Sequence, residues 1–370
     1  MITTLLHDEM KSFEDLALNF ALKELAHRRE VSDRYPFGAF DNTVLAKAHE
    51  LGFLGITLPE DLGGIGQGIS TLCVVLESIC RTDASLGAII FTNALAQEIM
   101  LRSGSGELLR EPSSRGALLA FSAYSDPLEH KDLPLAARGK KGYTLSGPAN
   151  YVVLAPIAAH ALIPARISGQ EGYSFFLVNL SHPKVKKSEP VFSLGAHACP
   201  VADITLDAAE AVLVGREGKG AEGFKEAAGM MYAAAAAISL GIMRGSFDYA
   251  LAYSNEREQG GCPIVNWSMI KTILADMAIQ TKIGDMAVSC ACSAIEKKIA
   301  GWDLLAKTAA LYVQDAACQV TTEGIQVLGG YGYMKDYGQE KRFRDAQQNK
   351  TLLGLAPLRK VELLDQMNTR

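Results

Sequence analysis

A glycine-rich segment near the end of the chain has residue types and spacing suited to binding a phosphate. It reads Gln-Val-Leu-Gly-Gly-Tyr-Gly over residues 326–332. Because glycine has no Cβ, the backbone there can approach an anion closely and donate N–H groups to it. Arg257 offers a second group of this kind, since a planar guanidinium can bond phosphate oxygens in pairs. The alternatives are a glycine helix end with nothing bound and a solvent-exposed arginine.

The hydrophobic pattern divides the chain into three regions that must position these residues. Apolar residues recur at helical spacing from about residue 5 to 110. Between about 114 and 214, short apolar runs alternate with turn residues, a pattern typical of strands. Long helical periods then resume, and the apolar stripe from Ile270 to Ile299 needs helical neighbours, as in a four-helix bundle. We therefore predict an α+β fold of three parts: an N-terminal helical domain over residues 1–112, a middle β domain over 113–215 and a C-terminal four-helix bundle over 216–370.

The middle region contains six apolar runs that we interpret as strands. Gly139 to Gly142 and Gly169 to Gly172 supply turn residues between them. The six runs are Ala117–Phe121, Tyr143–Ser146, Tyr151–Leu154, Ala159–Pro164, Tyr173–Val178 and Val201–Leu206.

Composition argues against several classes of protein. A length of 370 residues exceeds what one small core usually spans, and a formal net charge of −5 without a basic cluster argues against nucleic-acid binding. No window holds eighteen consecutive apolar residues, and the first fifteen residues lack the apolar core of a signal peptide, so we expect no membrane span. The seven cysteines include no Cys-x-x-Cys pair, which predicts no metal site, and a reducing cytoplasm is the simplest setting.

Segments in two regions of the chain resemble the two signatures of a known family. Residues 326–332, with Arg344-Asp345-Ala346 after them, resemble the C-terminal signature of the acyl-CoA dehydrogenases. Leu51 to Glu60, followed by Gly63-Gly64-Ile65-Gly66, resembles the N-terminal signature, and the helical, β, helical order matches the family fold. The resemblance implies a flavoenzyme that removes two hydrogens across the α,β bond of an acyl thioester.

The resemblance also implies FAD shared across a subunit interface. In the family, the glycine segment touches the adenosine diphosphate half of the flavin bound by the neighbouring subunit, and an arginine at the position of Arg257 faces its pyrophosphate. The flavin loop of the subunit itself corresponds to residues 125–132, where Glu129 and His130 replace two small residues. Val153 stands where the family has a threonine whose hydroxyl bonds the flavin ring. The implied FAD contacts are Gln326, Val327, Leu328, Gly329, Gly330, Gly332, Arg257 and Ser125.

The catalytic base that the resemblance implies is missing. Many family members carry a glutamate eight positions past the aspartate of Arg-Asp-Ala, and here that position is Leu353. The other usual position, in the stretch from Ala227 to Ala237, holds no carboxylate after Glu226. A leucine cannot accept the α-proton, and loss of a positioned base costs roughly 10²- to 10⁴-fold in rate. The chain alone is therefore expected to be inactive.

Three hypotheses follow. The first is the base-lacking subunit of a hetero-oligomeric acyl-CoA dehydrogenase, a heterotetramer. Its partners would be a homologous base-bearing subunit, an acyl-CoA substrate and an electron-transfer flavoprotein. The second is an active dehydrogenase with a non-standard base. The third is a flavin-free scaffold or binding protein on the same fold. The candidate bases for the second hypothesis are Asp126, Glu129, His130 and Tyr232.

Overall fold

The computed structural model describes residues 8–35, 40–122, 132–139 and 142–368. Helices occupy both ends of the described chain, and a seven-stranded sheet lies between them in sequence. The predicted α+β fold is therefore confirmed. The positions of Ser125, Asp126, Glu129 and His130 lie outside the described residues.

The N-terminal part consists of helices that pack their apolar faces together. Helices α3 and α5 both begin at an aspartate cap: Asp41 accepts from the N–H of Thr43 at 2.8 Å, and Asp83 from that of Ser85 at 2.7 Å. Almost the whole of α5 is buried. The helices are α1 (Asp8–Glu24), α2 (Arg29–Ser32), α3 (Asn42–Glu50), α4 (Ile69–Cys80), α5 (Ala84–Arg102) and α6 (Arg110–Ser114).

The sheet contains seven strands in the order β1-β3-β2-β4-β5-β7-β6. Additional pairings of β1 with β4 and of β3 with β7 fold it back on itself. Strands β3 and β7 form a long antiparallel pair that holds the sheet together. The strands are β1 (Leu119–Ser122), β2 (Leu135–Gly139), β3 (Gly142–Val153), β4 (His160–Ile167), β5 (Ser174–Asn179), β6 (Val185–Lys187) and β7 (Val201–Val214).

The strand prediction missed β2 and β6, divided β3 and ended β7 at Leu206 instead of Val214. Strands β2 and β6 were not predicted, because both are mostly exposed and carry no apolar run. Strand β3 joins two runs that were predicted separately, since Gly147 and Pro148 interrupt the apolar pattern between them. Gly147 has φ +117°, and the pairing with β7 shifts register beside it, so the glycine is a bulge inside one strand.

The C-terminal part is built around helix α7, whose 37 residues span about 55 Å. The C-terminal elements are α7 (Gly220–Glu256), the short strands β8 (Glu258–Gln259) and β9 (Cys262–Pro263), α8 (Ser268–Glu296), α9 (Trp302–Leu328), α10 (Gln339–Asn349) and α11 (Ala356–Asn368). A Cβ at Gly241 would lie 2.3 Å from the carbonyl oxygen of Glu77, so α4 and α7 cross at backbone contact. Helix α8 ends before Ile299, which the predicted stripe had included.

Helices α5 and α7 are long and apolar enough to cross a bilayer. However, 89% and 94% of their most apolar windows are buried inside the molecule. Both therefore serve as central helices of the core, where an apolar surface on all sides is expected.

Candidate functional site

A cavity of about 730 Å³ brings Arg257 and the glycine segment together. Arg257 ends α7 and the segment follows from the end of α9, so two helix ends meet there. We call this space the glycine cavity; its wall includes Tyr253, Arg257, Trp267, Met269, Gln326, Val327, Leu328, Gly329, Gly330 and Tyr331. The guanidinium carbon of Arg257 lies 5.7 Å from the ring centre of Tyr331. The guanidinium of Arg257 therefore lies beside the backbone of the glycine segment.

The glycines of the segment differ in what surrounds them. A Cβ added at Gly329 or Gly330 would meet no atom of the described residues within 4 Å, so the backbone there faces open space. Gly329 also has φ +57°, which favours glycine. A Cβ at Gly332 would instead lie 2.3 Å from the carbonyl oxygen of Ile325, and Gly332 does not line the cavity. The first two glycines leave room for a bound diphosphate, and the third is needed for packing.

A second cavity of about 400 Å³, the inner cavity, lies between β3, α7 and the residues after α10. The resemblance places the flavin ring here, because Tyr151 and Val153 line it. Most of the wall is apolar, as is usual for a site that holds a flat ring. Its wall includes Ala84, Ala88, Tyr151, Val153, Ser193, Gly195, Ala196, Cys199, Val201, Ile238, Asp345, Gln348, Asn349, Thr351 and Leu352.

Asp345 is a carboxylate on the wall of the inner cavity, and both of its oxygens are already bonded. Its Oδ1 accepts from the backbone N–H of Ala196 at 2.7 Å, and its Oδ2 accepts from Lys341 Nζ at 2.6 Å. Lys341 is buried, which would lower its pKa, but the carboxylates of Asp345 and Asp83 raise that pKa instead. Asp345 therefore anchors the loop at Ala196 rather than offering a free base.

Asp33 joins the same loop to α10 from the other side. Its Oδ1 lies 2.7 Å from Nδ1 of His197, and its carboxylate also accepts from Arg344. Burial alone would raise the pKa of Asp33, but the hydrogen bonds from His197 and Arg344 and the nearby charges outweigh it and lower that pKa well below its usual value. The loop over residues 193–199, which lines the inner cavity, is thus held at Ala196 by Asp345 and at His197 by Asp33.

A third cavity of about 600 Å³, the outer cavity, contains the position where the resemblance expects the base. It lies between the N-terminal turns of α7 and α9 and residues 353–366. Leu353 is buried there with φ +61°, while the preceding Leu352 lines the inner cavity. The base position therefore lies between the two cavities. The larger buried side chains of the outer cavity are Phe224, Tyr232, Lys307, Leu353 and Arg359.

Of the described carboxylates on the outer cavity wall, three lie towards solvent and the fourth, Asp303, is half-buried. Glu222 and Glu362 each have side chains 54% exposed, and Asp365 is also exposed. Glu362 pairs with Lys307, whose Nζ lies 3.1 Å from Oε2. Tyr232, the candidate base within the described residues, is buried, and burial raises the pKa of its hydroxyl. Its phenolate is therefore disfavoured.

Sequence reasoning missed two parts of this site. The loop over 193–199 has no motif, and it reaches the inner cavity only through its contacts with α10 and Asp33. Arg359 lies on α11, a helix whose other residues are mostly exposed, so it reads as a surface residue. No local signal distinguishes a buried arginine from an exposed one in such a helix.

Comparison with known proteins assigns the family. The family model described as acyl-CoA dehydrogenase, N-terminal domain, matches residues 7–111, and the C-terminal domain model matches residues 218–356. The chain is 32% identical over 337 residues to cyclohexane-1-carbonyl-CoA dehydrogenase of Geobacter metallireducens, covering 88% of each chain. It is 28% identical over 356 residues to the caffeyl-CoA reductase-Etf complex subunit CarC of Acetobacterium woodii, covering 92% of this chain and 93% of that one.

Solved structures share the whole architecture. A structure described as an electron transferring flavoprotein of Acidaminococcus fermentans superposes with a TM-score of 0.90 at 25% identity, covering 98% of both chains. Butyryl-CoA dehydrogenase of Megasphaera elsdenii superposes with a TM-score of 0.90 at 23% identity, covering 99% of both, which shows the common fold. With both signature regions, the domain matches and the fold in agreement, the chain belongs to the acyl-CoA dehydrogenase family of flavoprotein oxidoreductases.

Proposed function

We propose that this chain is the base-lacking subunit of a heterotetrameric, FAD-dependent acyl-CoA dehydrogenase. It supplies the glycine cavity to a homologous, base-bearing neighbour. The observation that carries the proposal is Leu353, a buried aliphatic side chain at the base position. Among the described residues, the larger buried side chains of the outer cavity include no carboxylate. An acyl thioester in that cavity would have no buried group to take its α-proton.

The residues that line the glycine cavity and the inner cavity support this division of roles between the two subunits. In the glycine cavity, Gly329 and Gly330 keep an open backbone beside Arg257, which suits the diphosphate of a neighbour's flavin. In the inner cavity, Val153 has no hydroxyl for a flavin ring, and Asp345 is already bonded at both oxygens. The glycine cavity, which would bind the FAD of a neighbouring subunit, is intact. The inner cavity, which would hold this chain's own flavin ring, is altered.

The residues present fit the adenosine diphosphate half of FAD. The bound flavin would accept a hydride from the β-carbon of the acyl group. Arg257 would neutralise a diphosphate oxygen, and the two open glycines would let the backbone approach it. Leu353 would contribute only an apolar wall between the inner and outer cavities.

An exposed apolar surface continues from the glycine cavity along α8. Trp267 and Met269 line the cavity and are 48% and 77% exposed. Ile279, Ile283 and Met286 follow on one face of α8, at 56%, 44% and 64% exposure. Large exposed apolar side chains that share one helix face mark protein contacts. We assign this α8 face to the base-bearing subunit, because that neighbour must also reach the glycine cavity.

We also propose an electron-transfer flavoprotein as the electron acceptor of the assembly. The relative from Acetobacterium woodii is named as a subunit of a reductase-Etf complex. The likeness covers over nine tenths of both chains, so an analogous acceptor is the simplest proposal.

A self-sufficient dehydrogenase is the second candidate, and Asp345 is the observation in its favour. It is a carboxylate of this chain on the wall of the inner cavity. Its bonds to Ala196 and Lys341 would have to break before it could accept a proton. Activity of the chain alone that disappears in Asp345→Asn, or in Tyr232→Phe, would favour this candidate.

Expression with and without a partner tests the proposal. The chain purified alone should contain little flavin, as read from its absorbance near the flavin bands, and should not reduce an electron acceptor when given acyl-CoA. Co-expression with a base-bearing family member from the same organism should yield a yellow complex with activity. Full activity of the lone chain would contradict the proposal. A colourless, inactive complex would instead favour the flavin-free scaffold.

A further inference from the structure

A buried guanidinium without a complete set of partners lies in the wall of the outer cavity. Arg359, on α11, is 1% exposed. Its Nη2 donates to Oε1 of Gln314 at 2.9 Å and to the carbonyl oxygen of Lys350 at 3.0 Å. Its Nε and Nη1 have no hydrogen-bond partner among the residues that the structure describes. Within the described ranges, no carboxylate forms a salt bridge with Arg359, although it lines an open cavity.

The neighbouring charges do not supply the missing partner. Lys307 is buried 5.4 Å from the ring centre of Tyr232, and Glu362 compensates its charge. Asp315 is already engaged by Lys350 at 2.8 Å and by Lys360 at 3.1 Å. Arg359 cannot escape by losing its proton, because a guanidinium stays charged in proteins. A buried unpaired charge is costly, so an anion from outside the chain is its expected partner.

We propose that the outer cavity binds an acyl thioester whose acyl group carries a carboxylate, held by Nε and Nη1 of Arg359. The thioester part of this inference rests on the proposed function, and the charged acyl group goes beyond it. A cavity of about 600 Å³ is large enough for a small-molecule ligand. Phe224, Ala228 and Leu353 provide apolar walls for the methylene groups between thioester and carboxylate.

The depth of Arg359 in the cavity wall favours a carboxylate of the acyl group over a phosphate of coenzyme A as the bound anion. The charges at the cavity mouth are mixed, since Glu222 pairs with Lys219 and Glu362 pairs with Lys307, so they do not decide between the two anions. Arg359 lies on the buried side of the cavity wall. An anion that binds it must enter on the buried end of the ligand, and for an acyl-CoA that end is the acyl group.

Calorimetric titration of the full-length chain tests this, with glutaryl-CoA and valeryl-CoA as probes. The two acyl groups have equal carbon counts and differ in ending as a carboxylate or a methyl group. We expect the chain to bind glutaryl-CoA about tenfold or more tightly than valeryl-CoA, as for a charge-assisted hydrogen bond. Arg359→Gln should remove this preference and leave the affinity for valeryl-CoA unchanged. Lys360→Gln, which removes the adjacent exposed charge, should keep the preference.

Three results would overturn the inference. The first is equal affinity of the unmodified chain for both probes. The second is a preference that survives in Arg359→Gln. The third is a loss in that variant that is as large for coenzyme A alone, which would assign Arg359 to a phosphate. If Arg359→Gln does not fold, the unmodified chain still decides through the first comparison, and Arg359→Lys should retain the preference. The titration measures the binding of acyl-CoA and depends on neither flavin nor turnover. An active lone chain would therefore contradict the proposed function and leave this binding result unchanged.

Discussion

At the scale of single residues, the glycines of residues 326–332 have different roles: Gly330 leaves room for FAD, and Gly332 is needed for packing. Gly332→Ala places a methyl group against the Ile325 carbonyl, so we expect a loss of roughly 1–3 kcal/mol in the free energy of unfolding. Gly330→Ala meets no neighbouring atom, so its stability should stay unchanged. In the assembly, the added methyl of Gly330→Ala should nevertheless weaken FAD binding, because it fills part of the glycine cavity. Urea unfolding and FAD titration measure the two effects. An equally stable Gly332→Ala would show that the backbone there can shift.

Arg257 carries the charge of the glycine cavity. In the co-expressed assembly, Arg257→Gln should weaken FAD binding by about tenfold or more, since a charge-assisted hydrogen bond to a phosphate is lost. Lys297→Gln removes an exposed positive charge just beyond α8 and should leave FAD affinity unchanged. Both affinities can be measured by flavin fluorescence during dialysis. Equal effects of the two substitutions would mean that Arg257 acts only through net charge.

At the scale of elements, the buried ion pairs that join α2, α10 and the loop over 193–199 should make stability depend on pH. The pKa of Asp33 is lowered in the folded protein, whereas in the unfolded chain it is about 3.9. Its contribution is therefore fully present above that value and is lost as the pH falls through the lower folded pKa. We expect Asp33→Asn to cost about 2 kcal/mol at pH 7 and to flatten the decline of stability below about pH 4.

Urea unfolding at pH 7 and at a series of acidic pH values checks this prediction. Glu189→Gln removes an exposed carboxylate and should reproduce the unmodified curve. An Asp33→Asn variant with the same acid decline as the unmodified chain would show that Asp33 contributes nothing to it. In Asp33→Asn, the loop over residues 193–199 that lines the inner cavity should also be held less firmly, because His197 and Arg344 lose a shared acceptor.

At the scale of the whole molecule, the α8 face should decide whether the assembly forms. Ile283→Lys combined with Met286→Lys puts two charges on that face without touching the core. We expect the double variant to fold but to lose its partner, since burying unpaired charges at an interface is costly. Val212→Lys, at a 51% exposed position on β7, is the control. Light scattering after size-exclusion chromatography measures the mass of each complex. An unchanged mass for the double variant would assign the interface to another surface.

The accuracy of the sequence predictions followed the range of the interactions behind them. Long helices were predicted because their apolar period is a local property, and α8 occupies most of the predicted stripe that starts at Ile270. The end of α8 was predicted too late, because the apolar period continues to Ile299 although Lys298 has φ +50° and leaves the helix. Strands β2 and β6 are mostly exposed and form by pairing with β3 and β7, so no apolar pattern marked them.

The sequence by itself determined the order of the helical and β parts, the family signatures and the leucine at the base position, since each can be read from neighbouring residues. Only the tertiary structure decided that Arg257 shares a cavity with Gly329, that Asp345 is bonded at both oxygens, and that Arg359 is buried with N–H groups unpaired. The physical reason is that burial and pairing depend on which distant segments pack together, and a side chain's type does not specify its neighbours.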